Sequence, residues 1–182
     1  FVVRDRDGNI KTTDNTVTSD PGPWWRVKKK NALFYNGMAR GDHRGTMALA
    51  TSVCVDDVET ARKVDQLFVD IQAFILSIEA PVYTRHIEPA LAETGKAIFA
   101  RDCAACHGTY ATEAERDSGI EDTYPNLLIP LDIVGTDPVV AEAGVVHSPE
   151  LVEWYNDSFY GQITRMVPDD PFPGYMPPPL DG

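Results

Sequence analysis

Cysteine is scarce in this sequence. Three cysteines among 182 residues are too few for the disulfide framework that holds many small secreted folds together. Long apolar runs are also lacking. Residues 67–78, the densest stretch, are interrupted by Asp70 and Gln72 and fall short of the roughly 18 residues that span a bilayer. We therefore expect a globular chain with a sizeable core and no transmembrane segment.

Positive charge is also in short supply. The chain has 16 lysines and arginines against 28 aspartates and glutamates, which gives a formal net charge of −12. Such a surface repels the phosphates of nucleic acids and of anionic lipids. The composition therefore disfavours nucleic-acid and membrane-surface roles, and it favours a partner protein with a basic docking surface.

The ends of the sequence lack the features of a complete precursor. The chain begins with Phe1 instead of methionine, and no positively charged segment is followed by the apolar stretch of a signal peptide. It ends in a proline-rich stretch, residues 177–182, that is typical of the middle of a loop. We expect a processed chain or a fragment that is truncated at its C-terminus.

Two of the cysteines, Cys103 and Cys106, precede His107 in a C-x-x-C-H motif, which is the spacing of covalent c-type haem attachment. Two thiols three positions apart on a short helical turn can each bind one vinyl group of a haem, and the next residue can bind its iron as the proximal ligand. A thioredoxin-like pair would follow a strand, and a zinc site would need a second pair of ligands. The motif therefore predicts a c-type haem (heme c), with its iron, as the cofactor. The third cysteine, Cys54, is expected to be a buried thiol.

The motif follows a helix that the sequence predicts over residues 88–101, with Pro89 at an early position where its missing N–H costs nothing. The apolar stripe of this helix consists of Leu91, Gly95, Ile98 and Phe99. Residues 95–99 and 103–108 resemble the first helix and the haem-binding turn of class I c-type cytochromes. The resemblance implies a mainly α, cytochrome c-like helical domain with long proline- and glycine-rich loops. In that family the glycine lets the terminal helix cross closely, and the aromatic residue packs at the crossing.

Residues 124–128, Tyr-Pro-Asn-Leu-Leu, extend the resemblance. In class I cytochromes c, a Pro-Asn-Leu segment after the haem turn supplies a proline carbonyl that accepts the N–H of the proximal histidine. The resemblance implies that Pro125 orients His107 and that Leu127 packs on the haem; an ordinary Pro-Asn turn is the alternative. Residues 109–123 are expected to be an insertion, with a solvated loop over residues 111–122.

The sixth ligand of the iron has several candidates. Met176 lies 69 residues after His107 in a Met-Pro-Pro sequence, and small class I cytochromes often present their axial methionine in such a loop. We expect Met176 to be the ligand. Met166, at the end of a helix expected over residues 149–165, is an alternative. The remaining candidates are Met38, Met47, His43, His86 and His147.

Residues 24–182 also resemble a group of larger bacterial cytochromes c related to dihaem cytochrome c peroxidases and rubber oxygenases. The resemblance is carried by residues 25–37, 40–43 and 175–182. In these relatives the proline-rich turn continues into a stretch whose histidine can reach the iron. A histidine beyond residue 182 is therefore a further candidate for the sixth ligand.

Residues 57–78 form the clearest helix in the sequence, because apolar residues recur at the three- and four-residue spacing of one buried face. Ser52 or Asp56 is expected to cap it. Its second half resembles the closing helix of a cytochrome c domain. We therefore divide the chain into a partial cytochrome-like segment over residues 1–83, which ends in this helix, and a haem-bearing domain over residues 84–182. Alternatively, the helix packs on the 88–101 helix and completes a single haem domain.

The expected function is one-electron transfer through a single covalently attached haem, held between His107 and Met176. One alternative is the haem-binding part of a dihaem peroxidase- or oxygenase-like enzyme, with His147 as a candidate acid–base residue. Another is a cytochrome subunit of a larger electron-transfer complex, docked through residues 1–23. The resemblance implies a periplasmic or otherwise extracytoplasmic location in a bacterium. The sequence names no catalytic residue and no substrate.

Overall fold

The computed structural model describes residues 22–52, 54–167 and 172–180, together with the backbone of two short strands. These strands, Val2–Arg4 (β1) and Ile10–Thr12 (β2), pair antiparallel. Most of the expected docking segment, residues 1–23, lies outside the described residues. So do the last two residues of the cytochrome-like stretch over residues 175–182.

Helices dominate the described part of the chain. They are α1 (His43–Thr51), α2 (Val58–Ser77), α3 (Pro89–Asp102), α4 (Ala104–His107), α5 (Glu113–Asp117), α6 (Leu131–Val134) and α7 (Val139–Asp157), with 3₁₀ helices at Trp24–Lys29 and Phe159–Gln162. Two further antiparallel pairs join β3 (Ala32–Leu33) to β4 (Ala39–Arg40) and β5 (Ile129–Pro130) to β6 (Gly174–Tyr175). The mainly α fold class is confirmed. Among the residues described, no helix has the length and apolar character needed to cross a membrane.

Helix α2 forms where its apolar spacing predicts, but the expected buried face is buried only in part, since Leu67, Ile71 and Phe74 are 59%, 41% and 63% exposed. Asp57, in extended conformation just before the first turn, caps the helix by accepting a hydrogen bond from Thr60 N at 2.9 Å. The expectation that Ser52 or Asp56 caps it was wrong. The helix buries Ala61 and Phe68 on one side, and this face anchors it in the protein.

The hydrophobic core draws on both halves of the sequence. Its buried members are Ala48, Val55, Ala61, Phe68, Val152, Tyr155, Tyr160 and Met166. The hydroxyl of Tyr160 donates to the carbonyl of Val55 at 3.1 Å, a bond that links residues 105 positions apart. Packing thus joins the segment over residues 1–83 to the domain over residues 84–182. The division at residue 83 stays a prediction about sequence relationships.

The expectation of a helix over residues 149–165 was wrong, because the helix found there, α7, spans Val139–Asp157. The helix passes through Pro149, although a proline inside a helix removes a backbone hydrogen bond and costs about 3 kcal/mol. The buried face consists of Ala141, Gly144, Ser148, Val152 and Tyr155. Because this face continues on both sides of the proline at helical spacing, its packing outweighs the local cost. His147 therefore lies inside the helix and not at its entry.

The expected solvated loop over residues 111–122 contains the short helix α5. Thr112 and Glu115 form a capping box: Thr112 Oγ1 accepts from Glu115 N at 3.3 Å, and Glu115 Oε2 accepts from Thr112 N at 2.7 Å. Asp122 accepts from Ala111 N at 2.8 Å and closes the far side of the segment. The expectation of an irregular loop was wrong, since the T-x-x-E pattern was not recognised as a helix start.

The ion pair of Glu115 should make the stability of the protein depend on pH. The hydrogen bond of its carboxylate with Lys96 Nζ, at 2.8 Å, and the N–H of Thr112 lower the pKa of Glu115 to about 2. Because the pKa of Glu115 is lower in the folded protein, the interaction contributes its full stability at pH values above the ordinary pKa of a glutamate. This contribution is lost as the pH falls from that value to about 2. We expect Lys96→Ala to raise the pKa of Glu115 in a carboxyl NMR titration.

The matched control is Lys63→Ala, which removes another exposed lysine–glutamate pair, at 2.8 Å from Glu59. It should leave the titration of Glu115 unchanged. If Lys96→Ala also left it unchanged, the pairing of α3 with the insertion would be disproved.

Candidate functional site

A cavity of about 670 Å³ lies beside α4. Its walls come from α4, α6, the first turn of α7, the β5–β6 pair and the loop that follows β6. The apolar and aromatic lining consists mainly of Tyr35, Ile129, Ile133, Val134, Val140 and Tyr175. The chemically distinctive lining residues are Cys106, His107, Asp137 and Met176. The volume and apolar character are those of small-molecule and cofactor sites, which span about 300–1,000 Å³.

The C-x-x-C-H motif forms a single helical turn beside this cavity. The carbonyl of Cys103 accepts from Cys106 N at 3.1 Å and from His107 N at 3.0 Å. Cys106 and His107 line the cavity, while Cys103 is half-buried at the start of the turn and is not among the lining residues. All three cysteines carry free thiols. Cys54 is exposed, so the expectation that it is buried was wrong.

The imidazole of His107 is oriented by a backbone carbonyl. Its Nδ1 lies 2.8 Å from the oxygen of Pro178. Because a carbonyl can only accept, Nδ1 carries the proton, and the Nε2 of the neutral ring keeps its lone pair for a metal. This is the arrangement that fixes the tautomer of most metal-binding histidines.

The carbonyl that orients His107 belongs to Pro178 and not to Pro125, the residue expected in that role. Pro125 is exposed. Its neighbours make other contacts: the Tyr124 hydroxyl donates to the Pro177 carbonyl, and Asn126 donates to Lys29 O at 3.0 Å. Leu127 is 45% exposed and does not line the cavity.

Met176 is the sixth-ligand candidate that lies in the cavity. Only 1% of its surface is exposed, and its backbone N–H donates to the carbonyl of Tyr35 at 2.6 Å. Met166 belongs to the hydrophobic core, and the side chain of His86 is largely exposed. The candidates outside the cavity lining are Met38, Met47, Met166, His43, His86 and His147.

A tight turn over residues 34–37 supports Met176 and was missed by the sequence reasoning. Phe34 and Gly37 have φ of 64° and 67°, and the turn places Tyr35 in the cavity wall. Asn36 Nδ2 donates to the carbonyl of Val140 at 3.2 Å, which fixes the turn to α7. The Asn-Gly pair is a turn pattern, but the sequence gives no indication that it meets a methionine 140 positions later.

The close approach of Gly37 to Met176 can be tested by substitution. A Cβ at Gly37 would lie 3.0 Å from Met176 Sδ and 3.2 Å from Arg40 Nη2, whereas a Cβ at Gly135, which also has φ of 67°, meets nothing within 4 Å. Gly135→Ala is expected to cost only the left-handed backbone penalty, roughly 1–2 kcal/mol. Gly37→Ala should cost more in urea denaturation, because Met176 must move as well. Equal costs would mean that the thioether does not rest on Gly37.

Helix α3 departs from the packing that the resemblance implies. Leu91 is 72% exposed, and a Cβ at Gly95 would meet no atom within 4 Å. No crossing helix therefore contacts this glycine among the described residues. Phe99 instead packs on Tyr110, with ring centroids 5.8 Å apart.

The residues that line the cavity fit a c-type haem in their chemistry. A porphyrin supplies the equatorial ligands of its iron, so the protein needs to provide axial ligands, thiols and an apolar wall. His107, Met176 and Cys106 line the cavity and would provide these, and Cys103 lies one helical turn away. In the part of the chain that the structure describes, no group of three or more histidine, cysteine, aspartate or glutamate side chains is placed to hold a metal ion.

Comparison with models of protein families, with curated proteins and with solved structures found no match to this chain.

Proposed function

We propose that this protein transfers single electrons through one covalently attached c-type haem in a class I cytochrome c-like domain. The observation that carries the proposal is that His107 and Met176 line the same cavity, although 69 residues separate them in the sequence. Cys103 and Cys106 would form the thioether bonds, His107 would be the proximal ligand, and Met176 would be the distal one. When bound, the haem supplies the one-electron Fe(III)/Fe(II) couple.

The surroundings of the two ligands favour electron transfer over substrate chemistry. Met176 is almost completely buried, and its backbone is hydrogen-bonded to the turn at Tyr35. A haem peroxidase or oxygenase instead needs an open or weakly held sixth position and a distal acid–base group. His147, the residue considered for that role, does not line the cavity.

The charge around the cavity supports a partner with a basic docking surface. Between Arg116 and Arg165 the chain has no lysine or arginine. The nine acidic residues in this interval are Asp117, Glu121, Asp122, Asp132, Asp137, Glu142, Glu150, Glu153 and Asp157. Asp137 lines the cavity, and Asp132 is exposed on α6, whose neighbouring side chains also line it. Asp137 and Asp132 would therefore help to attract a basic partner to the side of the protein where the haem would be bound.

Location and assembly follow from the proposed cofactor. The resemblance to c-type cytochromes, with covalent attachment of the haem, favours the bacterial periplasm or another extracytoplasmic compartment. A role as one subunit of a larger electron-transfer complex agrees with the same site and the same chemistry.

The proposal is tested by producing the chain in a host that attaches c-type haem. We expect haem absorbance to remain with the polypeptide after denaturation, and to be lost in the double variant Cys103→Ser/Cys106→Ser. The matched control is Cys54→Ser, because Cys54 is a free thiol outside the motif. It should keep the full haem content. A wild-type chain that carries no covalent haem under these conditions would refute the proposal.

A further inference from the structure

The loop that carries Met176 is short of hydrogen-bond donors. Residues 177–179 are three consecutive prolines, and a proline has no backbone N–H. The loop can therefore be fixed only through its carbonyl oxygens and through the N–H groups at either end. At one end, Met176 N donates to the carbonyl of Tyr35 at 2.6 Å. The prolines themselves must be held by donors from other parts of the chain.

Tyr124 supplies one of these donors. Its hydroxyl donates to the carbonyl of Pro177, the residue directly after Met176. Burial, with a smaller contribution from Tyr110, raises the pKa of Tyr124, so the hydroxyl keeps its proton and remains a donor. This bond acts on the peptide unit next to the methionine.

Tyr110 holds the other end of the proline stretch. Its hydroxyl donates to the carbonyl of His107 at 2.6 Å and accepts from Leu180 N, also at 2.6 Å. One hydroxyl therefore connects the backbone of the proximal ligand to the first N–H after the prolines. The ring of Tyr110 is itself held between Phe99 and Lys29, whose Nζ lies 5.5 Å from the ring centroid.

We propose that Tyr110 and Tyr124 are positioning residues for Met176, and we call the pair the tyrosine clamp. Together with the bond between His107 Nδ1 and the carbonyl of Pro178, the clamp fixes the triproline loop and so contributes to how firmly the thioether is held in the cavity that His107 also lines. This inference rests on the proposed haem site and adds the residues that control its distal ligand. Neither tyrosine lines the cavity, so the clamp acts through the loop and not by direct contact with the haem.

The test measures how easily imidazole displaces the methionine in the ferric haem protein. Tyr110→Phe and Tyr124→Phe each remove one hydroxyl and keep the ring. We expect each to tighten imidazole binding about fivefold, which corresponds to the ~1 kcal/mol of a typical hydrogen bond. The matched control is Tyr83→Phe, a tyrosine 65% exposed between α2 and α3, which should bind imidazole as the wild type does.

A double variant separates positioning from general destabilisation. In a Met176→Ala background, the additional Tyr124→Phe substitution should leave imidazole affinity unchanged, because no methionine remains to be held. Wild-type affinity in both single tyrosine variants would overturn the clamp and leave the haem function intact. The clamp would also be overturned if Tyr124→Phe still tightened imidazole binding in the Met176→Ala background. A chain without covalent haem would overturn both the clamp and the proposed function.

Discussion

Replacing Met176 with alanine is expected to lower the reduction potential of the proposed haem protein by on the order of 0.2 V, a part of the ~0.8 V range that axial ligands span. A methionine ligand raises the potential of a c-type cytochrome, and alanine leaves the sixth position open to water or to an added ligand. The measurement is a spectroelectrochemical titration, with the absorption spectrum recorded in both oxidation states.

Met166→Ala is the matched control for this prediction. Both methionines are almost completely buried, but Met166 packs in the hydrophobic core and not in the cavity. Truncating either one should cost about 2–5 kcal/mol of stability, so a loss of stability alone does not distinguish them. Only Met176→Ala should change the potential. An unchanged potential in that variant would assign the sixth position to another ligand.

Local patterns predicted much of the site. The C-x-x-C-H spacing defines a single helical turn, and the structure forms that turn with Cys106 and His107 in the cavity wall. The helices over residues 57–78 and 88–101 were also recognisable, because their apolar spacing and end residues depend on neighbours in the sequence. The structure places these two helices within one or two residues of the expected ends.

Some missed features were local, such as the capping box at Thr112 and the Asp57 cap, but others depend on contacts between distant residues. Pro178, whose carbonyl accepts from His107 Nδ1, lies 71 residues after the histidine. The sequence favoured Pro125 because it lies in a nearby Pro-Asn-Leu segment, and nothing in the sequence showed that Pro178 comes closer in the fold. Tyr35 lies in a tight turn formed by neighbouring residues. Its place in the cavity wall depends on hydrogen bonds of this turn with Met176 and with α7, which are distant in the sequence. Helix α7 continues through Pro149 because its buried face packs against distant residues in the core. The residues next to the proline in the sequence do not show these contacts.

Phe68→Ala is expected to destabilise the whole described fold by about 3–5 kcal/mol, the usual cost of emptying a large aromatic site in a core. Phe68 is 5% exposed and belongs to a core that also contains Val152, Tyr155 and Tyr160. Phe74 lies on the same helix and is 63% exposed. Phe74→Ala therefore provides the matched control, and it should change the free energy of unfolding by less than about 0.5 kcal/mol.

The number of unfolding transitions shows whether α2 and α7 share one core. Because the core joins α2 to α7, urea should unfold both parts in one cooperative transition, followed equally by helical circular dichroism and by tryptophan fluorescence. Phe68→Ala should shift that single transition to lower urea concentration. If residues 1–83 and 84–182 were independent domains, Phe68→Ala would instead split the curve in two and leave the later transition in place. The cavity lined by His107 and Met176 would then survive loss of the α2 packing, and the shared core would be disproved as the support of that cavity.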